Sequence, residues 1–270
     1  MIVKKNFTLT AAGHDLAAEW IEFDVMEHAR GKATLVFLHE GLGCIPLWRD
    51  FPHVLCEATG CCGLVYDRWG YGNSDPLPTV GSRRSRYMHD EALYSLPEVL
   101  ERCEIDNAIL IGHSDGGSIA LVYSAVYAGK VRGVITEAAH VFVEDVTLHG
   151  IRKAAASFET TDLREKLAKY HGTNTVSMFH GWADTWLSPE FRDWNIVEYL
   201  PRISVPLLVI QGEGDEYGTP AQIDAIVTGV TGPAKRCLIP NCGHVPHHQA
   251  RDTVIDEMKA FILKLVSEDV

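Results

Sequence analysis

The stretch from residue 109 to residue 121 joins a short apolar run to a glycine-rich polar turn and then to a second apolar run. It reads Ile-Leu-Ile-Gly-His-Ser-Asp-Gly-Gly-Ser-Ile-Ala-Leu, with Gly112 and Gly116 placed two residues either side of Ser114. The first run is typical of a buried strand and the second of a helix. Glycines remove side chains that would clash in a sharp strand-to-helix turn. The stretch therefore predicts a strained, exposed serine at the carboxyl end of a strand.

Short apolar runs of this kind recur along the chain and alternate with segments of helical spacing. The predicted strands are residues 3–10, 15–23, 33–38, 63–66, 108–111, 131–136, 206–210 and 236–239. This alternation predicts an α/β fold, a mostly parallel, doubly wound sheet covered by helices on both faces. Because parallel strands end at one edge, the loops that follow them meet where such sheets bind ligands.

One segment interrupts the alternation. After the sixth strand, about sixty residues show helical spacing and no strand candidate, although a crossover needs far fewer. We therefore expect a helical cap or lid at residues 141–200, inserted into a core domain of residues 1–140 and 201–270. The aromatic residues of the cap either form a small core or line a pocket. The candidate substrate contacts among them are Phe179, Trp182 and Trp186.

Composition narrows the classes of partner. The net charge is −12 with carboxylates spread along the chain, which disfavours nucleic acid as a partner. No uncharged apolar run is long enough to cross a bilayer, and the first residues lack the apolar core of a signal peptide. We therefore expect a cytoplasmic protein without a membrane partner, and leave a homodimer open. The seven cysteines and thirteen histidines show neither a disulfide framework nor a metal spacing, so no metal is expected.

A nucleophilic serine needs a base and a group that orients the base. Where the serine stands in a strand-to-helix turn, the chain order is serine, acid, histidine. The loop after residues 206–210 contains three carboxylates, on Glu213, Asp215 and Glu216, and the loop after the last strand contains His244. These loops and Ser114 are predicted to lie at the same edge of the sheet.

At this point the chain resembles the α/β-hydrolase superfamily, in its capped, serine-nucleophile, esterase-like branch. The motifs that carry the resemblance span nearly the whole chain: His39-Glu-Gly-Leu-Gly43, Asp67-Arg-Trp-Gly-Tyr-Gly-Asn-Ser-Asp75, Gly112-His-Ser-Asp-Gly116, Gly212-Glu-Gly-Asp215 and Gly243-His244. The resemblance implies that Ser114 is the nucleophile, His244 the general base and then acid, and Asp215 the residue that orients His244. It implies no cofactor. For Glu213 and Glu216 it leaves a solvated loop as the expectation.

The resemblance also implies an oxyanion hole made of backbone N–H groups. One would come from Asp115 and the other from Gly41 or Leu42, between which the sequence does not choose. In this loop Glu40 stands where the family usually has glycine. Either its carboxylate points away, the simpler expectation, or it contacts a cationic or hydroxylated substrate group. His113 is a further candidate contact, although a structural role is expected for a histidine at a strand end.

The implied reaction is a two-step acyl transfer on a small-molecule substrate. We expect hydrolysis of a carboxylic ester, or a related acyl compound, whose substrate is small and partly apolar or aromatic. Two alternatives remain from the sequence. One is a hydrolase of carbon–carbon bonds in ring-fission (meta-cleavage) products, and the other is a non-catalytic ligand-binding protein on the same fold.

Overall fold

The computed structural model describes residues 2–23, 33–79, 81, 83 and 85–267. Within these residues eight strands form one sheet with the order β1-β2-β4-β3-β5-β6-β7-β8. The strands are β1 (Ile2–Ala11), β2 (His14–Phe23), β3 (Thr34–Leu38), β4 (Gly63–Tyr66), β5 (Ala108–His113), β6 (Val131–Glu137), β7 (Leu207–Gly212) and β8 (Ala234–Ile239). Each predicted strand is present, with bounds that differ by no more than a few residues.

The sheet is mostly parallel. Strands β1 and β2 form an antiparallel hairpin, and β2 pairs antiparallel with β4. All other neighbours, from β4 through β3, β5, β6 and β7 to β8, run parallel. Strand β5 therefore lies inside the sheet, and the carboxyl ends of β5, β7 and β8 face the same edge.

Helices cover both faces of the sheet. They are α1 (Phe51–Thr59), α2 (Tyr87–Asp90), α3 (Leu96–Arg102), α4 (Asp115–Val126), α5 (Asp145–Thr160), α6 (Leu163–His171), α7 (Thr175–Leu187), α8 (Pro220–Gly229), α9 (Pro246–Gln249) and α10 (Arg251–Ser267). Along β5, Ile109 and Ile111 pack with α1 and α10, whereas Ala108 and Leu110 pack with α3 and α4. Because alternate residues of a strand point to opposite faces and both faces are covered, residues 108–111 of this strand are all apolar. The predicted doubly wound α/β fold is confirmed.

The helical insertion follows the sixth strand, as predicted. Helices α5, α6 and α7 all lie between β6 and β7. The ring of Phe158 on α5 stacks on that of Phe179 on α7, with centroids 3.8 Å apart. Two strand-like residues, Phe142 and Asn195, pair at the base of the insertion. The division into a unit of residues 141–200 and a core of residues 1–140 and 201–270 stays a prediction.

The turn at Ser114 depends on two close backbone contacts. Ser114 itself has φ 51° and ψ −115°, a conformation that strains any residue except glycine. A β-carbon on residue 116 would lie 1.9 Å from the carbonyl oxygen of Leu38, and one on residue 112 would lie 2.2 Å from the carbonyl oxygen of Gly116. Both glycines are therefore required, because the clashing atoms belong to the backbone and cannot rotate away.

The variant Gly116→Ala tests this requirement. The added methyl group would overlap the end of β3, so we expect it to lower the free energy of unfolding by about 3 kcal/mol. Urea denaturation measures this. Gly129→Ala is the matched control, since nothing lies within 4 Å of a β-carbon there. Equal unfolding midpoints for the two variants would contradict the account of the turn.

Candidate active site

Three of the predicted site residues form one hydrogen-bonded chain. The Oγ atom of Ser114 lies 3.0 Å from Nε2 of His244, and Nδ1 of His244 lies 2.8 Å from Oδ1 of Asp215. Ser114 follows β5, Asp215 follows β7 and His244 follows β8, so the parallel sheet brings together residues far apart in sequence. Glu213, the first carboxylate of the same loop, is exposed.

The surroundings of these hydrogen bonds favour the protonated form of His244. Burial opposes the charged imidazolium, but the hydrogen bond and charge of Asp215 outweigh it and raise the pKa of His244. For Asp215, burial likewise opposes the charge, and His244 together with the backbone N–H of Tyr217 lowers the pKa of the carboxyl. Asp215 therefore stays ionised, and it stabilises the positive charge that His244 gains when it accepts a proton.

His113 supports the loop that holds His244. Its Nε2 lies 2.7 Å from the carbonyl oxygen of His244, so its ring N–H donates to that oxygen. Burial, reinforced by His247 and His244, holds the pKa of His113 well below its ordinary value. His113 also borders the cavity beside Ser114. The neutral ring has the structural contact expected at a strand end.

In the loop after β3, one backbone N–H group already donates within the protein, and another has no acceptor among the described residues. The backbone N–H of Leu42 donates to Oε2 of Glu40 at 2.5 Å. No acceptor among the described residues takes a hydrogen bond from the N–H of Gly41 or of Asp115. Of the two alternatives in this loop, the geometry thus favours Gly41 over Leu42 as a donor to a bound oxyanion.

The carboxylate of Glu40 lies in the cavity that contains Ser114 and His244. The expectation that it points away from the site is wrong, because the side chain folds back onto its own loop to accept from Leu42. Burial raises the pKa of Glu40; the Leu42 N–H, His244 and Arg68 lower it, and Asp115 raises it further. The loop therefore places a carboxyl group in the lining of the cavity that also contains Ser114.

The cavity beside Ser114 has a volume of about 220 Å³, and Trp182 and Trp186 line it as predicted. This volume lies below the roughly 300–1,000 Å³ of most ligand pockets, so the cavity fits a small molecule. Phe179 does not line it. That prediction is wrong because Phe158 covers the ring of Phe179, which belongs to the apolar packing between α5 and α7.

Asp115 is buried and takes part in a polar network. Its Oδ2 accepts from the hydroxyl of Tyr87 at 2.5 Å and lies 3.9 Å from Nη2 of Arg68. The hydroxyl of Tyr87 accepts in turn from the indole N–H of Trp186 at 3.0 Å. Sequence reasoning missed Tyr87, since nothing in the local pattern links a tyrosine on α2 to the turn after β5.

Two residues next to Asp215 also belong to the site. The Oε2 atom of Glu216 accepts from the backbone N–H of His244 at 3.2 Å, and its side chain borders the cavity. The ring of Tyr217 lies 4.6 Å from that of His244 between centroids. Glu216 is exposed, as expected for a solvated loop, and it also contacts the backbone of His244. Glu216 and Tyr217 directly follow Asp215 in the sequence, and this position could have identified them as site residues.

The described part of the chain has neither a cluster of metal-ligating side chains nor a membrane-spanning helix. It contains no group of three or more His, Cys, Asp or Glu side chains arranged to hold a metal ion. None of its helices combines the length and the apolar character needed to cross a membrane.

The chain belongs to the alpha/beta hydrolase family, whose model matches residues 35–257. It is 23% identical over 276 residues to a proline iminopeptidase of Saccharolobus solfataricus, covering 87% of this chain and 86% of that protein. It is 26% identical over 198 residues to the human serine hydrolase BPHL, covering 70% of this chain and 65% of that protein.

Solved structures share the fold. The enol-lactonase of Burkholderia xenovorans superimposes with a TM-score of 0.71 at 18% identity, covering 94% of this chain and 99% of that chain. Family and fold agree with the resemblance inferred from the motifs. The protein is therefore an α/β-hydrolase enzyme.

The variant Tyr87→Phe tests the network around Asp115. Loss of the hydroxyl leaves the indole N–H of Trp186 without its partner and removes one donor to a buried carboxylate. We expect the free energy of unfolding to fall by about 1–3 kcal/mol in urea denaturation. Tyr94→Phe, at a tyrosine with 61% of its surface exposed, is the control and should match the wild type. A Tyr87→Phe variant as stable as this control would show that the network contributes nothing.

Proposed function

We propose that this protein is a serine hydrolase that cleaves a carboxylic ester, or a related acyl compound, through an acyl-enzyme. The observation that carries the proposal is the unbroken chain of hydrogen bonds from Asp215 through His244 to Ser114. These hydrogen bonds end at Ser114 in its sharp turn. Among the described residues, no acceptor takes a hydrogen bond from the N–H of Asp115 in that turn or of Gly41 in the loop after β3. Base, nucleophile and oxyanion donors are the parts that acyl transfer needs.

In the first step, Oγ of Ser114 attacks the substrate carbonyl and its proton passes to Nε2 of His244. Asp215 stabilises the imidazolium, and the two free N–H groups stabilise the tetrahedral oxyanion. His244 then gives the proton to the leaving group, which departs and leaves the acyl group on Ser114. In the second step, water attacks the acyl carbon and loses a proton to His244. Collapse of the second tetrahedral intermediate returns that proton to Ser114 and releases the acid.

The size and lining of the cavity support a small substrate with an apolar or aromatic part. A volume of about 220 Å³ bordered by Trp182, Trp186 and Tyr217 suits a short acyl chain better than a long lipid chain. The intact hydrogen-bond chain favours catalysis over the alternative of a ligand-binding protein. Carbon–carbon bond hydrolysis remains the alternative reaction, and turnover of a ring-fission diketone in place of esters would identify it.

The variant Ser114→Ala tests the proposed nucleophile. We expect a fluorophosphonate to add once to the wild type, on the peptide that contains Ser114, and not to add to the variant. Hydrolysis of 4-nitrophenyl acetate by the variant should fall by about 10³-fold or more. Intact mass, peptide mapping and absorbance measure these outcomes. Ser267→Ala, at the exposed end of α10, serves as the control and should behave as the wild type. An adduct on another residue, or full activity without Ser114, would overturn the proposal.

The pH profile tests the role of His244. The ring must be neutral to take the proton of Ser114, so activity is lost as the pH falls through the pKa of His244. Burial lowers that pKa, but Asp215, Glu40 and Glu216 together raise it above the ordinary value of 6.5. We therefore expect the acid limb of kcat/KM for a neutral ester to have its midpoint above pH 6.5. Asp215→Asn should move that midpoint to lower pH. A wild-type midpoint at or below 6.5 would contradict this assignment.

A further inference from the structure

The helical insertion between β6 and β7 contains three tryptophans, whose indole N–H groups have different surroundings. The N–H of Trp186 donates to the hydroxyl of Tyr87 at 3.0 Å. The N–H of Trp194 is buried, and no described residue accepts from it. The N–H of Trp182 likewise has no acceptor among the described residues, but it is not enclosed by protein, and its ring lines the cavity that contains Ser114. Trp182 therefore offers a donor that a molecule in this cavity can use.

The edge of the indole ring that carries this N–H packs on Gly41. A β-carbon on residue 41 would lie 2.2 Å from Nε1 and 2.3 Å from Cδ1 of Trp182, two neighbouring atoms of that edge. Because glycine has no β-carbon, the ring occupies the space that a side chain on residue 41 would fill. The indole N–H of Trp182, on α7, thus lies beside the residue whose backbone N–H is the proposed oxyanion donor.

The direction of the Gly41 N–H is fixed by the carbonyl group of the same peptide. The carbonyl oxygen of Glu40 accepts from Nη2 of buried Arg68 at 2.9 Å and lies 2.8 Å from Nδ1 of His39. The peptide bond is trans, so its N–H points to the side opposite its carbonyl oxygen. The N–H of Gly41 therefore points away from Arg68 and His39, and no described residue accepts from it.

The lining of the cavity makes neutral N–H donors important for an oxyanion. Among the described residues that border it there is no lysine or arginine, whereas the carboxyl groups of Glu40, Asp115 and Glu216 belong to the lining. Arg68 is not part of this lining, and it donates to the carbonyl oxygen of Glu40. The charge of a tetrahedral intermediate is therefore stabilised by N–H groups together with the imidazolium of His244.

We propose that Trp182 is a catalytic residue, whose indole N–H donates to the oxyanion beside the backbone N–H groups of Gly41 and Asp115. An indole N–H can only donate, so its partner in the cavity has to be an acceptor such as this oxygen. A hydrogen bond to a charged oxygen is roughly twice as strong as one to a neutral oxygen, so the contact strengthens as the carbonyl becomes an oxyanion. The proposal rests on the proposed serine-hydrolase function and adds a residue from the helical insertion to its site.

The variant Trp182→Phe tests the proposal, because it keeps an aromatic ring and removes the N–H. We expect kcat for 4-nitrophenyl acetate to fall by about 10- to 100-fold, the range for one hydrogen bond to a charged group, with little change in KM. Trp194→Phe is the matched control: it removes an indole N–H that also lacks an acceptor but lies outside the cavity lining, and it should keep the wild-type kinetics. 3-Benzothienylalanine at position 182 replaces only the N–H by sulfur, and it should reproduce the loss even where the phenylalanine variant does not fold.

A transition-state analogue gives a readout that a merely structural role of Trp182 would not move. With 1,1,1-trifluoroacetone, Oγ of Ser114 adds to the carbonyl carbon, its proton passes to Nε2 of His244, and the carbonyl oxygen becomes the oxyanion of a reversible hemiketal. The alcohol 1,1,1-trifluoro-2-propanol has the same carbon skeleton without the carbonyl, so its inhibition constant measures ordinary binding. Trp182→Phe should raise the inhibition constant of the ketone by about the factor by which it lowers kcat, and leave that of the alcohol unchanged.

Two results would overturn the proposal. The first is a folded Trp182→Phe variant with the kcat and the ketone inhibition of the wild type. The second is an equal weakening of ketone and alcohol binding, which would mean that Trp182 only shapes the cavity. Fluorophosphonate labelling of Ser114 separates this failure from that of the proposed function. Either result with a wild type that is labelled overturns the role of Trp182 alone, whereas an unlabelled folded wild type overturns both.

Discussion

The carbonyl oxygen of Leu38 lies where a β-carbon on residue 116 would have to stand. This contact brings the end of β3 against the first turn of α4 and leaves Ser114 at φ 51° between β5 and that helix. Packing of the sheet and its helices holds the strained serine in place. The same contact sets the distance between the loop after β3 and the N-terminus of α4. Both proposed oxyanion donors, on Gly41 and Asp115, therefore depend on a clearance that only glycine provides.

Burial at this turn explains how charge is distributed in the site. The hydrogen bond between Asp215 and His244 raises the pKa of His244 despite its burial. His244 is therefore a stronger base for the proton of Ser114. Asp115 is held by a tyrosine and an arginine and acts as part of the framework. Glu40 accepts from the backbone N–H of Leu42, so the N–H of Gly41 is the one in this loop that is available to a bound oxygen among the described residues.

The parts of the site that follow local rules could be predicted from the sequence. Ser114, Asp215 and His244 each occupy a loop directly after a strand, and parallel strands bring such loops together. The direction of a side chain within a loop follows from contacts with other elements, so the inward position of Glu40 could not be predicted. Nor could the network of Tyr87. Composition showed that the insertion is aromatic, but only the packing of Phe158 on Phe179 decides which rings reach the cavity.

A crystal structure of the fluorophosphonate adduct on Ser114 would test the central claim most directly. In that adduct a phosphonyl oxygen stands where the tetrahedral oxyanion would form. The account predicts that this oxygen lies about 2.7–3.1 Å from the backbone nitrogens of both Gly41 and Asp115, while Leu42 still donates to Glu40. An oxygen bound to the N–H of Leu42, with the Glu40 side chain displaced, would contradict the assignment of the oxyanion hole.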